Sequence, residues 1–270
     1  MVVGPWDRRS VDGRNSGGPV MLDAYSRRAR LAPASLAAGP PVVLAGGSVL
    51  AFERAGGVVG FFLAALLVCL CGLVRDRGRS IERRLWDRWG GPPTTVMLRW
   101  SGAVSEHTQR RRHSLLESIL GEVLPTRAQE EANPEGADRR YETAVAALRD
   151  LTRSRADFPL VAEENAEYGF RRNALGLKPL AVSIAAATGI LAVTLTLIED
   201  APGHFLPAAG VAVGAIVAWA LVVRPAWVRA AAERYAERLL ETCESLDRRS
   251  TERQQRSASP ATQIKEASDG

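Results

Sequence analysis

Residues 180–223 read LAVSIAAATGILAVTLTLIEDAPGHFLPAAGVAVGAIVAWALVV, two charge-free runs of 19 residues (180–198 and 205–223) around the polar link 199–204. At 1.5 Å per residue, each run as a helix reaches across a hydrocarbon core of about 30 Å. The link is too short for anything but antiparallel neighbours. The same pattern stands earlier in the chain, where residues 31–52 and 55–74 carry no charge and are joined by Glu53-Arg54. In the first of these runs Pro33, Pro40 and Pro41 remove backbone donors, and its Gly and Ala content gives little transfer energy.

The basic residues set the orientation. Of 35 Lys and Arg, six lie in residues 1–30, nineteen in 75–178 and nine in 224–270, leaving only Arg54 in a short link. With four spans, 34 of the 35 fall on one side of the bilayer, which the positive-inside rule makes cytoplasmic. The expected fold is therefore mainly α: four transmembrane helices as two hairpins, a cytoplasmic and mostly helical domain between them, and a C-terminal cytoplasmic helix. The chain divides into a basic N-terminal cytoplasmic tail (1–30), hairpin 1 (31–74), the cytoplasmic domain (75–178), hairpin 2 (179–223), a cytoplasmic helix (224–250) and a disordered polar tail (251–270). Met21 offers a second start, which would make the first twenty residues irrelevant to the fold. The location expected is a plasma membrane, with both termini inside.

Gly56, Gly57 and Gly60, and Gly210 with Gly214 at GxxxG spacing, would let spans approach closely. No Asp, Glu, Lys, Arg or His lies inside any of the four runs, which argues against an ion-coupled transporter.

In the cytoplasmic parts, residues 75–88 continue the second span with Ile81, Leu85 and Trp86 as an apolar stripe, and Trp89-Gly90-Gly91-Pro92-Pro93 stops that helix. The Thr94–Leu98 stretch fits either a capped helix or a short strand. Helices are expected over 113–124, 133–154 and 162–176, from the spacing of Leu115, Leu116, Ile119 and Leu120 and of Tyr141, Val145 and Leu148. After Pro225, the series Val228, Ala232, Tyr235, Leu239, Thr242, Leu246 forms a heptad-like seam for this domain, a second copy or a partner.

Familiar chemistry is not signalled. The sequence has no P-loop, GxGxxG, GxSxG or HExxH, and three cysteines give neither a disulfide framework nor a zinc site, so no cofactor and no metal is expected. Residues 75–178 hold nineteen basic against sixteen acidic residues; topology and anionic headgroups account for that surplus without nucleic acid. His113 and Glu117 share a helix face and read as a surface ion pair. The densest polar constellation is residues 163–173, with Glu164, Asn165, Tyr168, Arg171, Arg172 and Asn173 just before the third span. It reads first as a membrane-entry helix. The alternative is a polar interfacial cleft shared with Trp89, Thr94 and Thr95, which also lie near the membrane.

The motifs WGGPPTT (89–95) and ENAEYGFRRN (164–173), with RDRGR (75–79), Thr152-Arg153 and Phe158-Pro159-Leu160, resemble a family of bacterial four-span integral membrane proteins of uncharacterised function. The likeness covers residues 21–200. It implies four spans and an intervening cytoplasmic domain, and it carries no activity with it. Ser154-Arg155 stand where the family pattern leads one to expect an acidic residue. The function expected is a non-enzymatic adaptor or signal-receiving membrane component, binding membrane lipid and a protein partner or further copies of itself. Two other classes compete: an oligomeric pore-forming or membrane-perturbing effector of a bacterial defence module, and a membrane-bound enzyme using the interfacial Glu, Asn and Arg residues.

Overall fold

In a computed structural model, the described residues are 27–51, 56–102, 104–198 and 202–258; among them there are helices and turns and no strand. The order is α1 (Ala32–Ala51, preceded by a π-helical turn at Arg27–Leu31), α2 (Gly56–Trp89), α3 (Pro93–Leu98), α4 (Glu106–Leu120), α5 (Arg127–Ala132), α6 (Pro134–Leu151), α7 (Pro159–Ile198), α8 (Leu206–Leu221, after a 3-10 turn at Pro202–His204) and α9 (Pro225–Ala258). The molecule is mainly α, as the sequence implies. Among the described residues one helix, α7, is long and apolar enough to cross a membrane; Leu206–Leu221 and Pro225–Glu252 pass the same test only as a pair bent by 60°.

The short elements begin and end where their side chains dictate. Ser105 caps α4 by accepting from Thr108 N, and Gly121 ends it in the left-handed region at φ 68°. Helix α4 thus starts seven residues before the expected 113 and stops before Leu124-Pro125. A capping box at Thr126 and Gln129 opens α5, and Asn133 caps α6 through Gly136 N ahead of Pro134. Helix α6 closes at Leu151, three residues short of the expected end. Pro93 opens α3, deciding the Thr94–Leu98 stretch in favour of helix. The preceding turn needs its glycines, Gly90 at φ 80° and Gly91 at φ 134°.

Two corrections concern the long helices. The segment expected at 162–176 and the third span are one helix of 40 residues running through Pro179. A single proline removes one donor and need not break a helix packed on several neighbours. At the other end α9 runs to Ala258, so the expected tail boundary at 251 falls inside helix. The N-terminal tail to residue 26, the Glu53-Arg54 link and the chain after 258 lie outside the described residues.

Helix α7 is the axis. It packs against α1, α2, α8 and α9. One core joins these elements through Leu70, Val74, Leu85, Leu177, Trp219 and Val228; of the expected stripe, Leu85 is buried in this core and Ile81 packs against it, while Trp86 lines a cavity with Thr94 and Thr95. A second core, built on Leu98, Leu116, Tyr141, Leu148 and Leu239, holds α3, α4, α6 and α9. The α9 seam therefore packs on its own chain. Close helix crossings use Gly176 against the α2 backbone and Gly189 against Ala212, whereas Gly210 and Gly214 have nothing near their Cα faces.

Candidate functional site

The residues of the 163–173 run lie where α7 meets α2 and α9, divided among separate contacts. Tyr168 donates its hydroxyl to Glu82 Oε1 at 2.7 Å, and Arg172 Nη1 donates to the same oxygen at 2.7 Å. The Arg172 guanidinium also lies over the Tyr168 ring, 5.6 Å from its centroid, and Tyr168 stacks on Tyr235 of α9. Burial pushes the Tyr168 phenol well above its usual range, and the Glu82 carboxylate reinforces the shift. Tyr168 is therefore a fixed hydrogen-bond donor and not an acid–base group near neutrality.

Arg171 donates to Glu167 at 2.7 Å and to the Trp227 carbonyl at 3.1 Å, with its guanidinium 4.9 Å from the Trp227 ring centroid. Glu167 takes a second charge-assisted bond from Arg28 at 2.7 Å. Burial alone would raise the Glu167 pKa; its two arginines outweigh this and hold it below the usual value. Glu164 pairs with Arg234 of α9 at 3.3 Å, and Asn165 beside it is half-buried. Asn173 is buried and donates to the Ala29 carbonyl at 2.7 Å, tying α7 to the turn before α1. Its side chain sits against Gly78 so closely that a Cβ there would overlap it.

Trp89, Thr94 and Thr95 do not join this cluster. Trp89 packs by the start of α9, near Arg229 and Glu233. Thr94 and Thr95 are buried and face α6, lining a cavity of about 160 Å³ with Trp86, Glu142 and Arg149. Thr95 Oγ1 has no hydrogen-bond partner. Trp86 lines this cavity too, and its buried Nε1 has no hydrogen-bond partner. Thr94 and Thr95 thus line a cavity of their own with Trp86, apart from the bonds made by the 163–173 run.

A further network escaped the sequence. Glu130, 7% exposed, accepts from Tyr141 Oη at 2.8 Å, from Trp100 N at 3.0 Å and from Ser101 N at 3.3 Å. Arg99 makes a two-bond contact with Asp138 and also reaches the Gly90 carbonyl. His113 is buried, with Nε2 donating to the Leu98 carbonyl at 2.8 Å, and the Gln109 amide bonds the same oxygen. Burial lowers the His113 pKa despite that bond and the nearby Glu117 and Glu130. The surface ion pair expected of His113 and Glu117 is absent: Glu117 instead accepts from Leu124 N at 2.8 Å. Glu130 in a run of polar residues gives no local sign of burial; only its position one turn from a capping box hints at a fixed side chain.

Among the described residues no group of three or more His, Cys, Asp or Glu is placed to hold a metal ion. The Cys243 thiol is pushed up to about 11 by burial, which keeps it protonated and unreactive. No family model, curated protein or solved structure matches this chain.

Proposed function

We propose that this chain is a four-span membrane protein whose cytosolic helical domain is a non-enzymatic adaptor, receiving a protein partner and transmitting its docking to the membrane helices. The observation that carries the reading is α7. One helix of 40 residues bears the polar cluster in its first half and an apolar, charge-free second half. The polar groups of that first half engage α2, α9 and the turn before α1. Side chains tied to one another in this way couple elements; they leave little for a substrate.

The spans are argued from the surface. Phe61 and Val68 on α2, Leu197 and Ile198 on α7 and Val213 on α8 are all more than 60% exposed. Covering each of them with lipid or a partner would gain about 1.5–3 kcal/mol. Contacts of α1 and α8 with α7, and of α1 with α2, support reading the charge-free runs as one bundle. The resemblance in the 89–95 and 164–173 motifs agrees with this topology and location.

The test is cross-linking at native abundance, followed by mild detergent extraction and mass measurement. A defined cytosolic or membrane partner at fixed ratio is expected. A large homo-oligomer alone would overturn the adaptor in favour of the pore-forming effector, a reading that the open Gly210 and Gly214 face of α8 favours by leaving room for another helix. Conductance and depolarisation assays would then decide.

A further inference from the structure

Between α1, α7, α8 and the start of α9 lies an apolar groove of about 280 Å³, open along its length. Its floor is Trp219 and Ala174, both buried, and its walls include Leu36, Phe170, Val222 and Trp227. Ala215, Ala218 with Trp219, and Val222 recur at three- and four-residue steps, so the groove follows one face of α8. It passes the 60° bend between α8 and α9 and ends at Trp227. There the character changes abruptly. Arg224, exposed, follows the lining residue Val223 directly, and the Arg171 guanidinium covers the ring of the lining residue Trp227.

We propose that this groove binds an anionic phospholipid, one acyl chain lying along α8 on Trp219 and the headgroup phosphate facing Arg224. The proposal rests on the membrane reading above. The occupant follows from the order of surfaces: an apolar slot in a charge-free helix bundle, aromatic rings at its mouth, then a guanidinium. Trp and Arg at one depth match the headgroup boundary, and an arginine offers a planar, paired-donor face to a phosphate. A water-soluble anion has no use for the slot, and an uncharged apolar molecule none for the rim. Arg171 is already bonded to Glu167, and Lys178 Nζ is engaged by the Ala220 and Val223 carbonyls, which leaves the exposed Arg224 as the main attraction.

The experiment uses the full chain in nanodiscs of phosphatidylcholine containing a minor fraction of phosphatidylglycerol, released into the gas phase for native mass spectrometry. Retention of one phosphatidylglycerol in preference to phosphatidylcholine is expected. Arg224→Gln should lower that preference several-fold while leaving total retained lipid unchanged, because both choline and glycerol lipids still fit the slot. Ala218→Trp, at an exposed wall position, should expel the lipid of either headgroup while the chain still incorporates. Equal retention of the two lipids, or retention indifferent to both substitutions, would overturn the site. Failure of the chain to enter nanodiscs at all would overturn the membrane reading, a separately visible result.

Discussion

At the residue scale, two buried side chains allow sharp predictions. Thr95 is 1% exposed and its hydroxyl meets no partner, so the fold carries a desolvation cost without a compensating bond. Valine has nearly the same shape without the hydroxyl. Thr95→Val is expected to raise stability by about 1 kcal/mol, read as a higher denaturation midpoint of the detergent-solubilised chain. A loss of stability would mean the hydroxyl is bonded, most simply by water in the adjoining cavity. His113 supplies the second case. Burial lowers its folded-state pKa below 6.5, whereas the unfolded chain takes up the proton near that value. The unfolded state then binds more protons than the folded one as pH falls below about 6.5, so stability declines there and is fully present above it. Carboxylates add their own acid dependence; the comparison is therefore between the wild type and His113→Phe. The difference in Tm between neutral and mildly acid buffer should be smaller in the variant. An unchanged acid dependence would show that His113 does not contribute.

At the element scale, the crossing of α2 and α7 depends on Gly176. A Cβ there would lie 2.8 Å from the Arg77 carbonyl carbon and 2.9 Å from Gly78 N, both backbone atoms that no rotamer change can move. Alanine favours helix by up to about 1 kcal/mol over glycine, but overpacking of this kind costs about 1–3 kcal/mol. Gly176→Ala is thus expected to lower thermal stability, while Gly214→Ala, with open space around it, should be neutral or stabilising. Equal effects would refute the crossing. This element also marks the limit of what the sequence discloses. Helix starts at Asn133-Pro134 and Pro225, the stop at Trp89-Gly90-Gly91 and the α9 seam were legible because each depends on a few neighbouring residues. The glycines that pack were not: the GxxxG pair is open, while Gly176 meets Gly78, ninety-eight positions away in the chain. The same holds for the candidate site. Local density identified the 163–173 run, but Glu82, the shared acceptor of Tyr168 and Arg172, sits in another helix, and so does Trp86. Periodicity cannot assign a partner across such a distance. Burial of Glu130 was invisible for the same reason, since its donors come from Trp100, Ser101 and Tyr141.

At the scale of the whole molecule, charge and apolar surface make one joint claim about topology. The turn at Pro202–His204 joins α7 to α8 at the end farthest from the polar cluster, and Gly203 in it is exposed. Glu142, on α6 of the arginine-rich domain, is exposed too. If 34 of 35 basic residues lie inside, these two positions face opposite sides of the bilayer. Of the native thiols, Cys243 is buried with its pKa raised, and Cys69 and Cys71 sit in the apolar part of α2, so a membrane-impermeant maleimide should find little to react with. Replacing Cys69 and Cys71 by serine or alanine removes what background remains. Gly203→Cys should then label in intact cells with the outer barrier opened, and Glu142→Cys only after lysis. Labelling of both before lysis would place the two positions on one side and leave α7 and α8 as helices buried against a partner. Labelling of neither until lysis would do the same from the other direction. Only the asymmetric result agrees with α7 carrying the arginine-tied cluster on one face of a membrane and its apolar half through it.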